Sequence, residues 1–122
     1  MTRVMIVEDE PHIVESLSFL FAREGFDVRA IDDGAAALKA LEAEPPDVLV
    51  LDVMLPGLDG FELLRRLRAA PALKSLPVLM LTAKGQRRDR EIAEAAGADR
   101  FMTKPFSNAE LVAAVKALAA PA

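Results

Sequence analysis

The chain has no cysteine, which excludes a disulfide framework and a thiolate metal centre. No apolar run approaches the roughly 18 residues that a membrane-spanning helix needs. The opening Met1-Thr2-Arg3 leads straight into a short apolar stretch, without the layout of a secretory signal. A cytoplasmic protein with no membrane contact is the expectation. There is a single histidine, His12, and its place beside Pro11 suits an exposed, incidental side chain better than a phosphohistidine or a general base. The formal charge of −4 repels a phosphate backbone on average, so direct nucleic-acid binding by this domain is not expected.

What is present fits one folded unit over residues 1–122, with 119–122 as a tail or the start of a linker. The chain is 122 residues long, 52% hydrophobic and 28% charged, within the usual size and composition of a globular domain. Arg3 to Val7 is too short for a helix and suits a strand buried on both faces. From Pro11 to Arg23, Ile13, Leu17, Leu20 and Phe21 recur on one helical face, and Gly25 ends the helix. Phe26 to Ile31 reads as a strand, Asp33-Gly34 as a turn, and Ala35 to Ala43 as a helix stopped by Pro45-Pro46. Val48 to Leu51 is the most apolar strand candidate and so the expected centre of the sheet, followed by a helix from Phe61 to Ala69. Pro77 to Leu81 gives a fourth strand, Arg87 to Ala96 a polar helix ending at Gly97, and Arg100 to Thr103 a weak fifth strand. Ser107 and Glu110 have capping-box spacing before the last helix, whose apolar stripe is Leu111, Val112, Val115 and Leu118. Five strand-helix units predict a doubly wound α/β fold, a parallel sheet with helices on both faces.

Ligands of such sheets bind beyond the carboxyl ends of the strands. Glu8 and Asp9 follow the first strand, Asp52 the third, Thr82 the fourth and Lys104 the fifth. Three acids gathered there would repel one another, and a magnesium ion, which prefers carboxylate and phosphate oxygens, would offset that charge. Lys104 would add a fixed positive charge.

These residues fall within longer segments: Val7-Glu8-Asp9-Glu10, Asp52 through Gly60, Leu81-Thr82-Ala83 and Lys104-Pro105-Phe106. Together they resemble the signature segments of two-component response-regulator receiver domains, the chemotaxis-regulator-like family, over essentially the whole chain. The resemblance implies a flavodoxin-like five-stranded sheet in the order 2-1-3-4-5. It also implies that Asp52 is the phosphoacceptor and that Asp9, Asp52 and the Met54 backbone carbonyl are magnesium ligands, with Glu8 acting through water. Lys104 should contact Asp52 and later a phosphoryl oxygen, and Thr82 should donate to another oxygen. Phe101 should move inward with Thr82, while Met54 and Lys84 should tune phosphoryl lifetime. The implied partners are a sensor histidine kinase or histidine phosphotransfer protein, and an output partner or fused output domain. The chain would catalyse its own phosphorylation and dephosphorylation without being a conventional enzyme.

Other residues have plainer readings. Asp33, Asp59 and Asp99 suit turns and helix starts, and Lys84, Arg87, Arg88 and Arg90 suit a solvated helix face. Arg100 and Ala114 stand where receivers of the winged-helix transcription-factor group usually have Asp and Arg, which puts that group's last-helix pairing in doubt. A flavin-binding reading lacks a hydroxyl- and glycine-rich loop after the first strand. An aspartate-nucleophile phosphatase would carry a second Asp two residues after Asp52, where Met54 stands.

Overall fold

A strand with helices over both faces of its sheet must be apolar on both sides, and the three inner strands of this protein meet that demand. The computed structural model describes residues 1–82 and 87–120. Along the chain the elements are β1 (Arg3–Val7), α1 (Pro11–Arg23), β2 (Asp27–Ile31), α2 (Gly34–Ala43), β3 (Val48–Asp52), α3 (Gly60–Ala69), β4 (Val78–Thr82), α4 (Arg87–Ala96), β5 (Arg100–Thr103) and α5 (Asn108–Ala119). Every strand pair is parallel and the order is β2-β1-β3-β4-β5. The expected α/β sheet is present, and β3, buried at all its positions, lies at its centre.

Period-two alternation divides the core in two. Val4, Ile6, Val50, Leu79 and Leu81 pack with Leu17 and Phe21 of α1 and with Leu111 and Val115 of α5. Met5, Val7, Leu51 and Met80 meet Leu41 of α2, Leu63 and Leu67 of α3, and Ala93 of α4. No described helix is long and apolar enough to cross a membrane.

Several expected boundaries shift, each for a local reason. Asp33-Gly34 is not a free turn: Asp33 caps α2 by accepting from Ala36 N–H at 2.8 Å, and Gly34 is the first helical residue. Phe26 stays outside β2 because its N–H closes the end of α1 on the Phe21 carbonyl at 3.1 Å. Pro77 has no N–H to give the ladder, and β4 begins at Val78. At the other end β3 and β4 run one residue further than expected, since the pairs Asp52↔Leu81 and Thr82↔Thr103 continue the register whatever the side-chain polarity. Asp59 caps α3 through Glu62 N–H at 3.0 Å, and Ser107 caps α5 through Glu110 N–H at 3.3 Å.

Asp99 has a larger structural part than a turn residue. Its Oδ2 accepts from Val78 N–H at 2.8 Å and from Arg68 Nη2 at 3.0 Å. Arg68 also donates to the carbonyls of Leu76 at 2.7 Å and Gly97 at 2.9 Å, tying the C-terminal end of α4 to the chain leaving α3.

Candidate functional site

Register assembles the site. Val7 pairs with Leu51, so the next residues, Glu8 and Asp52, emerge side by side at the carboxyl end of the sheet. Carboxylate oxygens of Glu8, Asp9 and Asp52 all lie within 4.8 Å of one another. Glu8 is 1% and Asp52 4% exposed, whereas Asp9 stands in solvent. The following loop is shaped by two glycines: Gly57 has φ +79, and a Cβ on Gly60 would run into the carbonyl oxygen of Asp52.

Lys104 lies between the two buried acids. Its Nζ is 3.1 Å from Glu8 Oε2 and 3.5 Å from Asp52 Oδ2. The expected contact with Asp52 is present, but the shorter contact, to Glu8, was not legible from the sequence. Asp52 Oδ1 also accepts from Met54 N–H at 3.4 Å. The Glu8 carboxyl is pushed up from 4.5 to about 7. Burial is the main cause, followed by the hydrogen bond and then the charge of Asp52, while Glu10 N–H and Lys104 act in the opposite sense. The donor set is carboxylate oxygen throughout, the chemistry a hard divalent cation prefers.

The remaining expected residues lie in several places. Thr82, 3% exposed, ends β4, and its carbonyl accepts from Lys104 N–H at 2.7 Å. Met80 pairs with Phe101 and Thr82 with Thr103, so alternation puts Thr82 and Phe101 on the same face of adjacent strands, two residues apart. Phe101 is half-buried against the cluster beneath α4. The Met54 side chain is 67% exposed beside the acids. Lys84 lies outside the described residues. His12 is exposed, as expected. Ala114 is 2% exposed and part of the core beneath α5, while Arg100 is exposed on β5.

A family model, response regulator receiver domain, matches residues 4–116. The chain belongs to that family. This receiver domain is 47% identical over 116 residues to the alkaline phosphatase synthesis transcriptional regulatory protein PhoP of Bacillus subtilis, covering 95% of this chain and 48% of PhoP. It spans about half the length of the curated relatives it matches. A solved structure from Chloroflexus aurantiacus, described as a response regulator, superposes with a TM-score of 0.94 at 38% identity, covering 98% of each chain. The receiver domain of the Pseudomonas aeruginosa sensor histidine kinase PA1611 superposes with a TM-score of 0.90 at 30% identity over 97% of each chain, and it has a magnesium ion coordinated in its active-site cleft. The flavin alternative loses ground on geometry as well. An open hollow of about 520 Å³ beside the receiver's acids is lined by Glu8, Asp9, Glu15 and Asp32 with no basic residue, a lining that without a metal would repel an anionic phosphate.

Proposed function

We propose that Asp52 accepts a phosphoryl group, in a magnesium-dependent step, from a sensor histidine kinase or a histidine phosphotransfer protein, and that the surface formed by α4, β5 and α5 reports its arrival. The observation that carries this reading is the setting of Asp52. It is a nearly buried carboxylate with Lys104 Nζ 3.5 Å from one oxygen, Met54 N–H 3.4 Å from the other, and two further carboxylates within 4.8 Å.

Asp52 acts as the nucleophile. A carboxylate oxygen forms the bond to phosphorus while the bond from phosphorus to the donor's imidazole nitrogen, or to the acyl oxygen of a small acyl phosphate, breaks in line. Asp9, Asp52 and the Met54 carbonyl would hold magnesium, with Glu8 acting through water. When bound, the ion offsets negative charge on the equatorial phosphoryl oxygens. Lys104 exchanges its contact with Asp52 for one with a phosphoryl oxygen, and the Thr82 hydroxyl donates to another. Met54, exposed beside the acids, tunes access of hydrolytic water, and Lys84, two positions after Thr82 in the sequence, is proposed to share that role. The same site carries phosphorylation and dephosphorylation, so the domain is a self-modifying switch rather than a conventional enzyme. Residues 1–122 read as a single receiver domain, with 119–122 as a tail or the start of a linker. Its setting is cytoplasmic, without membrane or nucleic-acid contact of its own, and output passes to a docked partner or to a fused domain such as the length of the relatives supports.

Incubation with magnesium and acetyl phosphate is expected to add one acid-labile, hydroxylamine-sensitive phosphoryl group per chain, and chelation of the metal to prevent it. Intact-protein mass spectrometry reads both, and labelling that persists undiminished after chelation overturns the metal-dependent step.

A second expectation concerns the relay to the surface. A phosphoryl group shifts the two-state equilibrium only through contacts that differ between the states. Thr82→Ala removes one such contact without touching the nucleophile. The variant is expected to accept phosphate on Asp52 yet to show a smaller response to beryllofluoride in the amide NMR shifts of residues 87–118. Identical responses in variant and wild type would show that the signal travels without the Thr82 hydroxyl.

A further inference from the structure

Phe101 carries no hydroxyl, so no hydrogen bond from its side chain anchors the ring at the surface before phosphorylation. Its packing against the core beneath α4 favours still deeper burial. Something on the outside must oppose that pull if the resting state is to keep the ring outward. Arg90 of α4 stands over the ring, with Cζ 5.7 Å from the centroid, within the range at which a guanidinium is attracted by an aromatic face. Among the described residues Arg90 makes no ion pair, unlike Arg87, which pairs with Glu91 at 3.1 Å. A groove of about 200 Å³, lined by Arg90, Glu94, Arg100 and Phe101 among others, borders the pair and leaves open space beside the ring. The end of α4 is tied down at Gly97 by Arg68, which keeps the helix that carries Arg90 in place over β5.

We propose that Arg90 is a latch: its guanidinium, over the Phe101 ring at 5.7 Å, holds the ring in the outward position and so sets how much of the unphosphorylated protein occupies the active state. This rests on the reading that Phe101 moves inward with Thr82. On this proposal the cation–π contact is made in the outward state alone, so it biases the equilibrium by its own strength and no more. For an exposed cation–π pair that bias is about two- to fivefold in population. Arg90 is thus a positioning residue that acts through Phe101 and has no contact with the phosphoryl group.

The test compares amide NMR positions of residues 98–103 in wild type, Arg90→Gln and Arg90→Lys, before and after magnesium with beryllofluoride. Before addition, Arg90→Gln is expected to lie part-way along the line toward the beryllofluoride-saturated position, with the active fraction raised about two- to fivefold. Arg90→Lys, which keeps the charge but on a more strongly hydrated group, is expected between wild type and Arg90→Gln. In a Phe101→Leu background the Arg90→Gln change should have no effect, a coupling that a merely structural arginine would not show. If Arg90→Gln stays at the wild-type position, if Arg90→Lys matches wild type, or if the shift survives in Phe101→Leu, the latch is overturned while the switch reading stands. If the wild-type Phe101 amide does not move on beryllofluoride addition, both are overturned.

Discussion

Asp52→Ala is expected to take up no phosphoryl group from acetyl phosphate or a phosphorylated kinase, and at the same time to melt at a higher temperature than wild type in the absence of metal. The two effects have one cause. On the proposed mechanism an Asp52 oxygen forms the bond to phosphorus, so its removal is expected to delete the reaction rather than slow it. Yet Asp52 is also one of two buried carboxylates that share a single ammonium, at 3.1 Å from Glu8 and 3.5 Å from Asp52. Like charges about 4 Å apart repel by on the order of 4 kcal/mol at an effective dielectric of about 20. Removing Asp52 leaves Glu8 and Lys104 as a matched pair, and part of that repulsion returns as stability. Phosphate uptake measured by intact mass and melting followed by calorimetry check the two halves separately. Undiminished stoichiometric labelling would remove Asp52 from its role, and a lower melting temperature would show that the cluster is not electrostatically strained.

The second large effect is the dependence of metal-free stability on pH. Glu8 in the folded protein is pushed up to about 7 from 4.5, so the folded state binds the proton more tightly than the unfolded chain. Stability therefore falls as pH rises. Below about 4.5 the group is protonated in both states and costs nothing; above about 7 it is charged in both, and the full burial penalty applies. A displacement of that size corresponds to at most about 3 kcal/mol. Glu8→Gln removes the titration but keeps the shape. Its stability relative to wild type is expected to improve by on the order of 2 to 3 kcal/mol between about pH 5 and about pH 8, measured by urea unfolding. On the proposed reading magnesium would bind the folded site in preference to the unfolded chain and should raise the wild-type melting temperature by mass action. It should do so less at about pH 5, where protons compete for the carboxylates. A difference between Glu8→Gln and wild type that does not change with pH would show that Glu8 is not the group that titrates.

The sequence by itself determined the architecture. Short apolar runs alternating with helical periodicities admit few solutions other than a parallel sheet covered on both faces, and Glu8, Asp9, Asp52, Thr82 and Lys104 were legible as the residues at its strand ends. Helix ends were legible wherever the capping residue was local, as at Ser107, because such a signal needs only its neighbours. The partner of Asp99 was not legible, since Arg68 lies 31 residues away and reaches it through the packing of α3 against α4. The same holds for Glu8 and Lys104, 96 residues apart, and for Arg90 over Phe101. Those pairings, and the burial beside Asp52 that displaces the Glu8 carboxyl, were decided only by the tertiary structure. Strand register and burial set which charges share a low-dielectric space, and no local pattern in the chain encodes that distance.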